Sequence, residues 1–312
     1  MLSEKRSIVL GAGPMGRTIA QTLTAKGTRV TLVTRNGKVI SGGVDVAAAD
    51  LSDPTQTVAA CQGADKIYFC AAPPYHLWAT AFPALQEAAI AAAAQTGAVL
   101  VAVENLYGYG AAGTLKEGMP LAAKTRKGAV RARMSERLLA AHENGEARCV
   151  AGRSTDFFGP GVAMSALGDR FWPALLAGKT IDWVGDPSAP HSFAFLPDLA
   201  KAYVALGERS ETWGRAWHMP ALPPISVREL CERVCGRDAV PKIRTTPSWV
   251  LRAVGMFQPA AREVIEMRYM FDETFKIDHS DFDGSVGPIE TIWETAINAT
   301  VEWWSSQEKQ VA

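Results

Sequence analysis

Ser7-Ile8-Val9-Leu10-Gly11-Ala12-Gly13-Pro14-Met15-Gly16 is the stretch that decides the fold. A short β-branched run ends in glycines spaced G-x-G-x-x-G, and a helix-compatible segment, residues 15–26, begins inside the turn. Each glycine has a distinct use in that setting. Gly11 permits the tight turn, Gly13 lets the backbone approach a pyrophosphate, and Gly16 lets helix and strand pack closely. The helix start, carrying Pro14 and Met15, then offers unpaired N–H groups and a partial positive charge to phosphate. The expectation is a dinucleotide held by Gly11, Gly13, Pro14, Met15 and Gly16.

Outward from that turn the chain keeps alternating. Strand-like runs at 7–10, 29–33, 66–70, 98–103 and 148–151 are separated by helix-like runs at 15–26, 55–61, 78–95 and 126–142. Such alternation predicts an α/β fold: a doubly wound parallel sheet, Rossmann-like, binding ligands at the carboxyl ends of its strands. Past residue 160 the pattern becomes mixed and rich in Trp and Pro. Short strands at 181–184 and 192–195 accompany helices at 197–206, 226–235, 260–271 and 289–303. Residues 1–160 are therefore expected to be the dinucleotide-binding domain. Residues 161–312 are expected to be mainly a smaller substrate lobe, with segments around 181–206 returning to the sheet.

Composition excludes several classes. The 32 basic residues balance 32 acidic ones, so no basic surface for nucleic acid is expected. The N-terminus runs straight into Ile8 without a signal-peptide core, and the longest apolar run, residues 88–94, is too short for a bilayer. The expectation is a cytoplasmic protein with no membrane partner. The five cysteines, at 61, 70, 149, 231 and 235, form no paired framework, and neither they nor the five histidines show metal spacing. No metal site is predicted. The lack of GxSxG argues against a nucleophile-elbow hydrolase.

The end of the second strand bears on the cofactor. It reads Thr34-Arg35-Asn36, with no acidic residue to accept from ribose hydroxyls. The Arg35 guanidinium suits a 2′-phosphate, Thr34 and Asn36 can add hydrogen bonds, and Arg17 or Lys38 further charge. NADP(H) is expected over NAD(H).

Further segments carry a family resemblance. Asp50-Leu51 follows the third strand. Cys70-Ala71-Ala72-Pro73 follows the fourth, and Asn105-Leu106-Tyr107-Gly108-Tyr109-Gly110 the fifth. Arg153-Ser154-Thr155-Asp156-Phe157-Phe158-Gly159-Pro160-Gly161 comes next, and then Gly185-Asp186 through Phe193 to Pro197-Asp198-Leu199-Ala200. In this order they resemble segments of the extended and atypical short-chain dehydrogenase/reductase family, the NAD-dependent epimerase/dehydratase group. The resemblance implies adenine contacts at Asp50 and Leu51. It also implies nicotinamide-side contacts at Ala71, Ala72, Pro73 and Asn105.

The departures are specific. The first two glycines are one residue closer than in the family's GxxGxxG. The family's catalytic Tyr-x-x-x-Lys is missing, since none of the six tyrosines has Lys four residues on. Matching residues 135–139 to the family's helix puts Gly128 and Ala132 at those two places, while a one-residue slip puts Lys127 and Arg131 there. Where sugar-nucleotide members carry a diphosphate-binding Arg, this chain has His191, a poorer phosphate clamp. A nucleotide-sugar substrate is not expected.

Tyr107 and Lys127 are the candidate proton donors, although the Tyr-Gly-Tyr-Gly turn could equally be packing alone. Tyr75, Tyr109, Asp156, Phe157, Phe158, Met164 and His191 are the candidate substrate contacts, with Trp172 or Trp249 as further wall. Asp198 is read as a helix N-cap. The leading reading is an NADP(H)-dependent oxidoreductase acting on a small, largely apolar organic substrate through a non-standard proton donor. A catalytically silent NADP(H)-binding sensor, and an isomerase or dehydratase using the cofactor transiently, are the competing readings. A homodimer through helices 78–95 and 126–142 is a further expectation.

Overall fold

The strands of the N-terminal half are apolar on both faces, as parallel strands covered by helices must be. The computed structural model describes residues 5–38, 44–247, 250, 265–288 and 291–311. Strands β1 (Arg6–Leu10), β2 (Arg29–Thr34), β3 (Asp45–Ala48), β4 (Lys66–Phe69) and β5 (Val99–Asn105) alternate with helices α1 (Pro14–Ala25), α2 (Pro54–Ala60) and α3 (Trp78–Thr96). A short strand β6 (Gly113–Leu115), helix α4 (Arg126–Glu143) and strands β7 (Arg148–Ser154) and β8 (Phe157–Phe158) follow. The second half adds α5 (Trp172–Leu176), β9 (Ile181–Trp183), β10 (Ala194–Phe195), α6 (Leu196–Glu208), β11 (Ala216–His218), α7 (Val227–Cys235) and β12 (Ile243–Thr245). It ends with α8 (Tyr269–Asp272), β13 (Phe275–Ile277), α9 (Ser280–Ser285) and α10 (Trp293–Val311).

Seven parallel strands form the main sheet in the order β3-β2-β1-β4-β5-β7-β11. Val9 sits opposite Leu32 on one side and Tyr68 on the other, so the strand order reverses at β1. Adjacent residues point to opposite faces. Ile8 and Leu10 join Phe82, Ile90 and Leu138 under α3 and α4, while Val9 joins Ile19, Leu199 and Tyr203 under α1 and α6. Each fully buried Ile, Leu or Val contributes about 1.5–3 kcal/mol, and the alanines of α3 (Ala88, Ala89, Ala92, Ala93) let that helix lie close to its neighbours.

The doubly wound parallel sheet expected from the sequence is present. Of the segments expected to return to it, α6 packs on the sheet's face through Leu199 and Tyr203. Residues 194–195 pair with β8 in a two-stranded sheet of their own, and β11 is the strand that extends the main sheet. Helix α6 starts at Leu196, so Asp198 lies in its first turn and does not cap it; its carboxylate instead takes Lys201 Nζ at 3.3 Å. The remaining lobe has its own aromatic core. Phe158 stacks on Trp293 at 5.4 Å and on Trp172 at 6.3 Å, and both Phe158 and Trp172 are fully buried. Neither is a pocket wall. Trp249, and parts of the helices expected at 260–271 and 289–303, lie outside the described residues.

Candidate active site

The crevice opens where β1 hands over to α1, facing the end of β4. Gly11 has φ +105°, and a Cβ there would lie 2.8 Å from the backbone N and Cα of Ala71, so the two strand ends touch through this glycine. A Cβ on Gly16 would lie within bonding range of the Gly11 carbonyl oxygen, which closes the helix onto the turn. Gly13 is the contrast: nothing stands within 4 Å of where its Cβ would be. Helix α1 begins there without a side-chain cap, leaving its first N–H groups to an incoming anion. A dinucleotide pyrophosphate therefore fits at Gly13. Arg17 is turned back to the Ala12 carbonyl at 2.8 Å and braces the turn.

At the far end of β2, Thr34 Oγ1 accepts the Gly37 N–H at 2.9 Å and Asn36 Oδ1 accepts that of Lys38 at 3.3 Å. These bonds form a tight loop that leaves Arg35 exposed. Across from it, hydrogen bonds from Ser52, with a smaller contribution from the Arg35 charge, hold the Asp50 carboxyl below its ordinary value. Leu51 is buried beneath it.

At the other end, Asn105 closes β5 and its Oδ1 accepts the Tyr107 N–H at 3.2 Å. The Trp78 indole is held by the Pro73 carbonyl at 2.9 Å and stacks on Tyr107 at 5.9 Å. Tyr107 and Tyr75 bring their hydroxyls to 3.3 Å. Thr125 caps α4, and Gly128 packs so tightly on this turn that a Cβ would lie 2.6 Å from the Tyr107 carbonyl. That places Lys127 toward the tyrosines: its Nζ lies 5.2 Å from the Tyr75 ring centre and 3.2 Å from Glu266 Oε2, fully buried. Arg131, one turn on, is buried against Phe82 at 4.6 Å and donates to the Val103 carbonyl at 3.3 Å. Burial first, then the neighbouring Tyr75 and Asp156, push the Tyr107 phenol well above its ordinary value.

The structure also joins Asp156 to His191, whose Nε2 lies 3.0 Å from Asp156 Oδ2. Phe157 beside them is half-buried. Met164 is 93% exposed. Glu266, which joins this cluster through Lys127, was not anticipated. It belongs to no recognised segment, and no pattern in the sequence marks it. Among the described residues no group of His, Cys, Asp and Glu could hold a metal, and no helix is long and apolar enough to cross a membrane.

The sequence profile of the NAD dependent epimerase/dehydratase family matches residues 7–217. The chain belongs to that family, a family of enzymes. No protein of curated function matches it by sequence. Among solved structures it is similar to a UDP-glucose 4-epimerase from Thermotoga maritima, with 13% identity over 97% of this chain and 99% of that one and a TM-score of 0.79. A dTDP-glucose 4,6-dehydratase from Streptomyces venezuelae, solved with NAD bound, gives 16% over 98% of each and 0.78. A putative epimerase from Burkholderia cenocepacia gives 17% over 96% and 97%, and 0.75. At these identities the likeness is one of fold.

Tyr109 does not reach the crevice of this family member. Its hydroxyl accepts from Arg153 Nη1 at 2.7 Å and donates to His218 Nε2 at 2.7 Å, and His218 Nδ1–H donates to the Asp278 carbonyl at 2.8 Å. These directions are those of the neutral imidazole, with Nε2 accepting and Nδ1–H donating. Burial pushes His218 from its ordinary 6.5 down to about 4, with the Arg153 charge acting the same way and the Asp278 carbonyl opposing. As pH falls below 6.5 the unfolded chain takes up this proton first. The contribution is thus complete above pH 6.5 and lost between there and about pH 4, by about 3 kcal/mol. Thermal unfolding across that window should show the loss, and His218→Gln should flatten it. An equally steep fall in the variant would assign the acid sensitivity elsewhere.

Proposed function

We propose that this family member is an NADP(H)-dependent oxidoreductase acting on a small organic carbonyl or alcohol, with Tyr107 as proton donor and Lys127 as its charged neighbour. The observation that carries this is the Tyr75–Tyr107 hydroxyl pair beside the buried Lys127, just past the end of β5. A nicotinamide cofactor held by its pyrophosphate at Gly13 would supply or accept hydride. Tyr107 holds its proton throughout the physiological range, because burial disfavours the phenolate. Tyr75 shares a hydrogen bond with it and orients it, while Trp78 stacks on the ring. Glu266 anchors Lys127 through both backbone N–H and Nζ.

The cofactor preference rests on Arg35, exposed beside an acid-free strand end. Titration should show NADPH binding about 10–100-fold tighter than NADH, the scale of one charge-assisted phosphate contact. Arg35→Ala should erase the difference and leave NADH affinity unchanged. Equal affinities in the unmodified protein would sink the Arg35 assignment. NADPH should also be consumed with members of a ketone, aldehyde and activated-alkene panel. Tight NADPH binding with no turnover across that panel would favour a cofactor-binding sensor instead.

A further inference from the structure

We propose that His191 and Asp156 form a buried imidazolium–carboxylate pair, and that this pair is a pH-sensitive latch between the lobe and the carboxyl edge of the main sheet. It stands independently of the reaction proposed above.

Hydrogen-bond direction carries the first part. Nε2 of His191 lies 3.0 Å from Asp156 Oδ2, and Nδ1 lies 3.2 Å from the Met270 carbonyl oxygen. A carboxylate and a carbonyl only accept, so both contacts are bonds when both ring nitrogens carry hydrogen. A neutral ring would turn a lone pair toward one of the two oxygens. The imidazole is 3% exposed, which leaves water little access to make good the loss. Its faces suit a cation. Phe271 lies parallel to it at 4.9 Å, with Phe275 and Phe193 at 5.1 and 4.5 Å. A buried ion pair is tolerable only when its hydrogen bonds are complete. Here each ring N–H has an acceptor, and the Asp156 side chain keeps 19% of its surface in solvent. His218 is the opposite case, since its ring meets one carbonyl and one donating hydroxyl and is satisfied uncharged.

The place of the pair makes it a latch. The His191 backbone exchanges two hydrogen bonds with Ile225, at 3.0 and 3.1 Å. On its other side Ser192 N–H donates to the Phe275 carbonyl at 2.8 Å and Phe275 N–H to that of Pro190 at 2.9 Å. Asp156 stands two residues past Ser154, which pairs with Asn105 at the carboxyl edge of the sheet. One ring therefore fastens two lobe segments, 190–192 and 270–275, to the turn after β7. The elements packed against it also carry Arg228, Arg268, Tyr269, Asp272, Glu273 and Lys276. Arg268 is taken up by Asp272 at 2.9 Å and the Thr246 carbonyl at 3.0 Å, and among the described residues Asp156 is the charged group that reaches the ring. Removing one ring proton costs one of the two bonds. The fastening is complete while the ring holds both protons and weakens as rising pH removes one, the reverse of the His218 dependence.

Proton–nitrogen NMR reads the ring directly. At about pH 7.5, above the ordinary imidazole range, His191 should show hydrogen on both ring nitrogens, with His191→Gln assigning the signal by its loss. A single ring N–H there overturns the pair. Asp156→Asn offers the ring an amide that donates to Nε2, so His191 should become neutral while the fastening holds. Two ring N–H groups in that variant would mean that Asp156 does not hold the proton, and would also overturn the pair. Hydrogen exchange reads the latch, at the amides of His191, Ser192, Ile225 and Phe275. Asp156→Ala should cut their protection about 10–100-fold, the scale of one hydrogen bond to a charged group, and Asp156→Asn should keep most of it. Unchanged protection in Asp156→Ala overturns the latch. Between about pH 7 and 10, protection corrected for base-catalysed exchange should fall in step with loss of the ring proton, and should stay level in Asp156→Asn. A ring that keeps both protons to about pH 10, or loses one with no change in protection, overturns the pH sensitivity.

Discussion

Tyr107→Phe is expected to lower kcat for NADPH-dependent carbonyl reduction by about 10²–10⁴-fold while leaving KM near its original value, the usual cost of losing a positioned proton donor. The substitution keeps the ring that stacks on Trp78 and removes only the hydroxyl 3.3 Å from Tyr75. Tyr75→Phe should cost less, because that hydroxyl orients the donor without being it. Lys127→Met should also lower kcat, but this single change strands the Glu266 carboxylate. The double variant Lys127→Met/Glu266→Gln separates the two roles. If Lys127 acts on the reaction, the double variant stays slow after stability returns. Recovery of kcat in the double variant would reduce Lys127 to a structural partner of Glu266. Full activity in Tyr107→Phe would remove Tyr107 from the chemistry.

Arg153→Met should destabilise the fold by about 3–5 kcal/mol, the cost of leaving a buried charge without its partner. Arg153 is 5% exposed and gives its guanidinium to three groups: Tyr109 at 2.7 Å, Ser135 Oγ at 2.8 Å and Glu104 Oε2 at 3.4 Å. Glu104 is 4% exposed, its Oε1 has no partner among the described residues, and Ser135 is its other donor at 2.7 Å. Arg153→Lys should recover little, since a point charge cannot serve three directions. Pairing Arg153→Met with Glu104→Gln should return a good part of the loss. The urea midpoint reads all three. An unfolding free energy for Arg153→Met within about 1 kcal/mol of that of the original protein would mean that water reaches the carboxylate.

The glycine turn and the alternation of runs made the sheet legible, because their signals are local: residue period and backbone permissiveness. Elements settled by distant partners were not. β11 is three residues long and is a strand only because Trp217 meets Gly152 across the sheet edge. Tyr109 and Tyr107 sit two apart in one turn, and sequence gives no means of telling which faces the crevice. Arg153 and His218 decide it by capturing Tyr109. The spacing of residues leaves the register of α4 open by one position; Gly128 packs against the Tyr107 carbonyl and Lys127 pairs with Glu266, a contact between segments far apart in the chain. Phe158 was misassigned because its segment borders the site while its ring turns into the aromatic core.

The late return of α6 and β11 matters while the chain is being made. When β7 has left the ribosome, Val9, Ile19, Val101 and Val150 still lack the Leu199 and Tyr203 side chains that cover them, and the β7 edge is unpaired. Translation reaches His218 roughly 3–13 s later at ordinary elongation rates. For that interval the nascent chain carries an open sheet edge and a bare apolar face, both of which invite association with other chains. Synthesis through α6 and β11, well past the dinucleotide-binding segments, is what ends that exposure.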